Sequence, residues 1–196
     1  MQNPPKLHIG CGPNMLDGWI NTDLTAGPNI IAVDAASILP FGDCSFRYVF
    51  SEHLIEHLDY KEASSFVSEC WRVLVPGGII RTATPDLRFL IQLYDGNKSE
   101  TQREYVDWAA RTFLDIPVVL DAFIINNFFR AWGHKFIHDE DTLTLLLVTA
   151  GFEDVKRYRP GISDDPSLCN LESHGRLISQ EFNDLETFVL EAVKPS

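Results

Sequence analysis

The chain has 196 residues, of which 45% are hydrophobic and 22% are charged, and this balance excludes a disordered or fibrous protein. Its formal net charge is −12 and its 16 lysines and arginines are scattered, so neither nucleic acid nor an anionic membrane is an expected partner. The 4 cysteines form no C-x-x-C pair, which favours reduced thiols in a cytoplasmic protein over a disulfide framework. No apolar signal segment follows the first residues, and the apolar stretch at 116–129 is too polar to span a bilayer.

Short apolar runs bounded by turns predict strands at 7–9, 19–23, 30–33, 46–50 and 78–82. The run at 30–33 is continuous, which is typical of a strand that is buried on both faces. A helix is predicted over 60–74, because apolar residues recur there at spacings of three and four before the Pro-Gly-Gly at 76–78. Further along, a helix at 139–150 ends at Gly151, a loop covers 160–169, and strands are predicted at 155–158 and 185–193.

The segment at 87–132 differs from its surroundings because it is rich in aromatic residues and helical by pattern, with breaks at 94–97 and 116–117. We therefore predict one domain over 1–196 that contains a helical insertion, or lid, at 87–135. The aromatic side chains of this segment are expected either to close over a cleft or to form ordinary core. They are Trp108, Phe113, Phe123, Phe128, Phe129 and Trp132.

Ligand-binding features stand at the ends of the first three predicted strands. The first strand runs into Gly10 and Gly12, where the backbone can turn sharply and a ligand can lie against peptide groups. Asp23 closes the second strand and Asp34 follows the third, so both carboxylates are expected at the edge where open α/β sheets bind ligands. Asp23 suits a ribose diol, and Asp34 suits the exocyclic amine of a purine. Each feature alone is common at a turn, but their order along the chain favours a shared binding site.

Together with three further motifs, the glycine loop resembles that of class I S-adenosylmethionine-dependent methyltransferases of the type-11-like group. The matching runs are the loop at 7–12, the D-A-x-x-L-P-F-x-D-x-S-F segment at 34–46, the H-x-L-E-H-L pattern at 53–58 and the R-V-L-K-P-G-G pattern at 72–78. The resemblance covers residues 6–86. It implies an α/β fold with a Rossmann-like, mostly parallel seven-stranded sheet that ends in an antiparallel hairpin of 153–157 and 185–193.

The resemblance also implies the cofactor, S-adenosyl-L-methionine, whose product is S-adenosyl-L-homocysteine, and a set of residues around it. These are Gly10, Cys11 and Gly12 at the carboxypropyl and sugar part, Asp23 at the ribose, Asp34 and Ala35 at the adenine, and Ser51 and His53 near the methionyl part.

The chain departs from the family pattern between the first two strands. Only seven residues separate Gly10 from Gly18, which is too few for the usual helix of a parallel crossover. We expect a short, irregular connection there. The sheet face that it leaves bare then has to be covered by another segment or by another subunit, as in a homodimer.

A base is needed only if the acceptor loses a proton, and the catalytic candidates are His53 and His134, since His57 is better suited to bracing the following helix. No metal site is expected. A zinc hydrolase is nevertheless a rival interpretation, because residues 53–57 spell H-x-x-E-H, although no third ligand is evident from the sequence.

Two other functions stay open, a non-catalytic subunit that binds S-adenosylmethionine and a nicotinamide oxidoreductase. The second would need a third glycine and an acid about 20 residues further on, and Asp23 comes too soon for that role. The segment at 133–136, together with 139–152, resembles type-11-like members from bacterial surface-sugar pathways. This implies that the acceptor is a sugar or another small molecule.

Overall fold

A computed structural model describes residues 4–94 and 96–196. Its centre is a seven-stranded sheet with the order β3-β2-β1-β4-β5-β7-β6. The strands are β1 (Lys6–Ile9), β2 (Ile20–Asp23), β3 (Ile30–Ala32), β4 (Phe46–Glu52), β5 (Leu74–Pro85), β6 (Glu153–Tyr158) and β7 (Thr187–Val193). The first five strands pair in parallel, and β7 is antiparallel to both β5 and β6. The predicted fold class, including the C-terminal antiparallel hairpin, is confirmed.

Six α-helices accompany the sheet within the described ranges: α1 (Tyr60–Val73), α2 (Leu87–Tyr94), α3 (Glu100–Phe113), α4 (Asp121–Arg130), α5 (Glu140–Ala150) and α6 (Gln180–Glu186). Asp59 begins α1 by accepting a hydrogen bond from the Glu62 N–H, and Asp139 does the same for α5. Gly151 ends α5 in the left-handed conformation that the sequence predicts, at φ 100°. In none of the described helices is the apolar stretch long enough to cross a lipid bilayer.

One face of the sheet packs against α1 and α5 and forms the main hydrophobic core. Alternate residues of the strands point into it, since successive side chains of a strand face opposite sides. Members of this core include Leu7, Ile9, Val49, Phe66, Cys70, Leu146 and Leu190.

The opposite face is covered by residues that follow β6. No helix lies between β1 and β2, so the predicted short connection is confirmed. Leu168, which is fully buried, packs with Trp19 and Phe50 on this face. The Tyr48 hydroxyl donates to Asp165 Oδ2 at 2.7 Å. A distant segment of the same chain therefore covers the face that the short connection leaves bare.

Beneath that cover lies a buried ion cluster centred on Arg81. Its guanidinium donates to Glu172 Oε1 at 2.6 Å, to a carboxylate oxygen of Glu191 and to the Ile162 carbonyl. Arg81 is fully buried, so these acceptors offset the cost of removing its charge from water.

Helices α2, α3 and α4, which lie between β5 and α5 in the chain, form a second hydrophobic core. Its buried residues include Phe89, Leu90, Tyr105, Ile124 and Phe128. The predicted break at 116–117 falls between α3 and α4, and the break at 94–97 falls where α2 ends. Asp95, part of that second break, lies outside the described residues, as do residues 1–3 at the N-terminus.

Three predicted elements are corrected. The strand predicted to be buried on both faces, β3, is the outermost strand of the sheet, and Ile31 is 49% exposed. The strand predicted at 78–82 begins already at Leu74, directly after α1. The strand predicted at 185–193 begins at Thr187, because residues up to Glu186 form the short helix α6, capped by the Ser179 side chain.

Candidate functional site

The glycine loop after β1 is tied to the end of β2. Gly10 and Gly12 adopt φ values of 72° and 50°, in the left-handed region that favours glycine. The Gly12 N–H donates to Asp23 Oδ2 at 2.8 Å, and the Cys11 N–H donates to the Thr22 carbonyl at 2.9 Å. The structure therefore brings Gly10, Cys11, Gly12 and Asp23 together, with Cys11 only 3% exposed.

Asp34 lies at the neighbouring strand end. Asp23 pairs with Ala32 in the sheet, and the Val33 N–H donates to the Asp23 carbonyl at 2.8 Å. The Asp34 carboxylate is exposed and accepts hydrogen bonds from the Ala36 N–H and the Ser37 hydroxyl. The ends of β1, β2 and β3 thus share one edge, as the parallel pairing predicts.

The chemistry of this edge suits an adenosyl group. A Cβ added to Gly12 would have no atom within 4 Å, so no protein atom crowds the loop at that residue. Asp23 accepts the Gly12 N–H through Oδ2, and its lone pairs leave capacity for a further donor such as a ribose hydroxyl. The Asp34 carboxylate also faces solvent. Two carboxylates beside the glycine loop are hydrogen-bond acceptors that suit the hydroxyl groups of ribose and the amino group of adenine.

Ser51 and Glu52 end β4 next to this loop. Ser51 is 1% exposed, and its hydroxyl lies 3.4 Å from the Oγ1 of Thr82, its cross-strand neighbour on β5. The Glu52 carboxylate accepts hydrogen bonds from the Ser173 N–H and hydroxyl and from the His174 N–H. Glu52 therefore fixes the turn that carries His174.

A cavity of about 400 Å³ lies beyond the ends of β4 and β5. Four of the aromatic residues predicted as a lid or core line it: Trp108, Phe113, Phe128 and Trp132. Phe123 and Phe129 do not, and they are 39% and 41% exposed. Polar side chains of the lining include His53, Glu56, His57, His134, His174 and Glu186.

His53 occupies a strained position at the cavity wall, with φ 46°. Its Nδ1 lies 3.0 Å from Glu56 Oε1, and its ring centroid lies 4.1 Å from that of His174. Burial alone lowers the pKa of His53. The hydrogen bond to Glu56 and the nearby glutamate charges outweigh that effect, so the pKa lies above its usual value.

His134 lies opposite, at the exit of the helical segment. Left-handed conformations at Trp132 and Gly133 turn the chain back, and the Lys135 N–H donates to the Glu56 carbonyl at 2.8 Å. His134 Nδ1 bonds to the Phe128 carbonyl at 2.7 Å, and burial lowers the pKa of its ring. The two predicted histidines, His53 and His134, therefore border the same cavity.

Sequence reasoning missed Glu186, Tyr105 and His174 as cavity residues. Glu186 accepts from His174 Nε2 at 2.8 Å and from the Tyr105 hydroxyl. Burial, followed by the charge of Glu186, raises the pKa of Tyr105 well above its usual value. The position of Glu186 could have been predicted from the sequence. It directly precedes the final antiparallel strand, and the start of such a strand lies at the same sheet edge as the C-terminal ends of the parallel strands.

Comparisons with known proteins agree with this architecture. A family model described as a methyltransferase domain matches residues 12–82. A Mycolicibacterium smegmatis protein described as a probable S-adenosylmethionine-dependent methyltransferase is 46% identical over 48 residues, which are 24% of this chain and 18% of that protein. The match thus spans less than a fifth of the relative's length.

Solved structures show the same fold. A SAM-dependent methyltransferase from Archaeoglobus fulgidus has a TM-score of 0.54 at 18% identity, over 98% of this chain and 86% of its own. One from Thermotoga maritima has a TM-score of 0.55 at 17% identity, over 99% of this chain and 83% of its own. The resemblance to class I S-adenosylmethionine-dependent methyltransferases inferred from the sequence is confirmed by these findings together.

Proposed function

We propose that this chain, whose residues 12–82 match the methyltransferase-domain family model, binds S-adenosylmethionine and transfers its methyl group to a small-molecule or sugar-type acceptor. The observation that carries the proposal is that Gly10 of the glycine loop contacts Leu54, which directly follows a residue that lines the aromatic cavity. A Cβ added to Gly10 would overlap Leu54 Cδ1, so the two residues are in direct contact. Next to Leu54 in the chain is His53, which lines the cavity.

In this proposal the crevice holds the adenosyl compound. Asp23 accepts from the ribose hydroxyls, Asp34 and Ala35 border the adenine, and the loop at 10–12 faces the carboxypropyl and sugar part. Ser51 and His53 follow at the methionyl end, where Ser51 is buried and His53 borders the cavity.

S-adenosylmethionine supplies a methyl group on a sulfonium, which is already a strong electrophile. The main task of the chain is then to position the acceptor, an effect worth about 7–11 kcal/mol at best. Where the acceptor loses a proton, His53 Nε2 is the proposed base, with Glu56 holding Nδ1. His134 is the second candidate, and its Nδ1 is held by the Phe128 carbonyl.

The cavity lining supports a small acceptor with both apolar and hydroxyl groups. Its volume of about 400 Å³ is within the range of small-molecule sites. Trp108 and Trp132 offer flat apolar faces, and histidine and glutamate side chains offer hydrogen-bonding partners for hydroxyl groups. The net charge of −12 disfavours a nucleic-acid acceptor.

Calorimetry on the full chain tests the adenosyl part of the proposal. We expect one S-adenosylhomocysteine bound per chain and no binding of NADH. Asp23→Asn should weaken binding about tenfold or more, because one of two acceptor oxygens becomes a donor. Asp17→Asn, an exposed position in the same connection, is the matched control and should bind normally. NADH binding without adenosyl binding would overturn the proposal.

Transfer itself is tested by incubating the chain with S-adenosylmethionine and sugar or small-molecule acceptors, and by measuring S-adenosylhomocysteine release. Release with at least one such acceptor is expected, and His53→Asn should reduce its rate. Tight adenosyl binding without release for any acceptor would favour the non-catalytic alternative.

A further inference from the structure

We propose that Glu56, His57 and His134 form a binding site for a first-row divalent transition metal, with Zn²⁺ as the reference ion. One potential ligand atom from each of these residues lies within 4.8 Å of the other two. The set of two imidazoles and one carboxylate is characteristic of transition-metal sites with open coordination positions. This inference does not rest on the proposed methyl transfer, although Glu56 and His134 take part in both proposals.

The geometry needs little adjustment to accept an ion. Two ligands of one zinc ion are at most about 4.2 Å apart when each bond is about 2.1 Å long. Side-chain shifts of about 1 Å would therefore close the three atoms around a shared ion. All three residues line the cavity, so the remaining coordination positions open onto it.

Surrounding groups orient the side chains of Glu56 and His134 in the way that outer partners orient metal ligands. His134 Nδ1 is bonded to the Phe128 carbonyl at 2.7 Å, which leaves Nε2 with its lone pair free to bind a metal. Glu56 is fully buried, and its oxygens contact His53 Nδ1 and the Thr84 hydroxyl, each at 3.0 Å. A carboxylate oxygen with one such partner keeps a further lone pair for an ion.

The backbone also holds the two halves of the site together. The N–H groups of Lys135 and Phe136 both donate to the Glu56 carbonyl, at 2.8 and 3.2 Å. The rings of His57 and His134 have centroids 5.0 Å apart. The grouping differs from the H-x-x-E-H interpretation, because the third ligand is His134, from a distant segment, and His53 is an outer partner of Glu56.

The test starts from the metal-free chain, titrated separately with ZnCl₂, CoCl₂ and MgCl₂ and without any adenosyl compound. We expect one Zn²⁺ per chain and no comparable Mg²⁺ binding, because Mg²⁺ prefers oxygen ligands. Bound Co²⁺ should show visible d–d bands without a thiolate charge-transfer band. A thiolate band, or no Zn²⁺ binding, would overturn the proposal, and neither result would bear on adenosyl binding.

Substitutions of the two histidine ligands test whether the ion binds at this cluster. His57→Ala and His134→Ala should each weaken Zn²⁺ binding by more than about 100-fold, since losing even an outer partner of a ligand costs 10–100-fold. His174→Ala is the matched control, because it removes a cavity histidine outside the cluster and should keep Zn²⁺ binding. Circular dichroism checks that each variant is folded, and His134→Gln replaces His134→Ala if it is not. Wild-type affinity in folded variants of both His57 and His134 would exclude this site.

Discussion

Replacing Gly12 with alanine separates the backbone role of the glycine loop from its role in ligand binding. Gly12 has φ 50°, and a Cβ there meets no atom within 4 Å. The substitution therefore adds left-handed strain of about 1–2 kcal/mol but no clash. For a chain of this size, that cost lowers the melting temperature by about 2–8 °C.

Gly18→Ala is a closely matched control for this substitution. Gly18 has φ 76°, and a Cβ there also meets nothing within 4 Å, so the strain is similar. Gly18 precedes β2, whereas Gly12 follows β1, and the two strands are parallel. The two glycines therefore lie toward opposite edges of the sheet, and only Gly12 borders the proposed crevice.

Thermal unfolding and calorimetry with S-adenosylhomocysteine give the two readouts. Both variants should lose similar stability, but only Gly12→Ala should lose affinity, by about tenfold or more, which is about 1.4 kcal/mol. Gly10→Ala should cost more stability than either, because its Cβ would overlap Leu54. Equal affinity loss in Gly12→Ala and Gly18→Ala, or none in Gly12→Ala, would refute the assignment of the crevice.

Three further predictions concern stability. Burial lowers the pKa of His8 to about 4, against 6.5 when unfolded, so protonation favours unfolding and stability falls as the pH drops from 6.5 towards 4. Measured by urea unfolding, the free energy of unfolding of His8→Gln should therefore fall by about 2 kcal/mol less than that of the wild type when the pH drops from 7.5 to 5. An equal fall in the two proteins would contradict this. Leu168→Ala should cost about 2–5 kcal/mol in urea unfolding because Leu168 is fully buried, whereas Leu24→Ala, at a position 73% exposed, should cost little. Glu172→Leu should cost about 3–5 kcal/mol in the same assay, since it removes a buried partner of Arg81, and a loss under 1 kcal/mol would be inconsistent with that pair.

The acids of the crevice could be predicted from sequence because of a general property of parallel sheets. Strands that run in the same direction end at the same edge, so Asp23 and Asp34 had to lie beside the glycine loop once their strands were identified. The short connection after β1 was predictable for an equally simple reason, because seven residues between Gly10 and Gly18 leave no room for a helix.

The edge position of β3 could not be predicted, because an apolar run does not indicate whether its strand lies at the centre or at the edge of the sheet. Ile30 and Ile31 suggested a central strand, yet β3 is at the edge. The cover of the second sheet face was also unpredictable from local pattern. Leu168 and Phe50 pack together although more than a hundred residues separate them along the chain.

The polar wall of the cavity was likewise not predictable from local sequence pattern. His53 and His134 were candidates because of their local motifs, but their shared cavity depends on the chain turning back at Trp132 and Gly133. The approach of His134 to Glu56 and His57 is set by backbone hydrogen bonds between distant segments. The rival H-x-x-E-H interpretation pairs His53 with His57, whereas the fold places His134 beside His57.

The most direct test of the account is a crystal structure of the protein grown with S-adenosylhomocysteine. We predict that its ribose hydroxyls contact Asp23, that its adenine lies beside Asp34 and Ala35, and that its sulfur points towards the cavity bordered by His53. A ligand bound away from the loop at 10–12, or one whose ribose and adenine touch neither aspartate, would contradict the account.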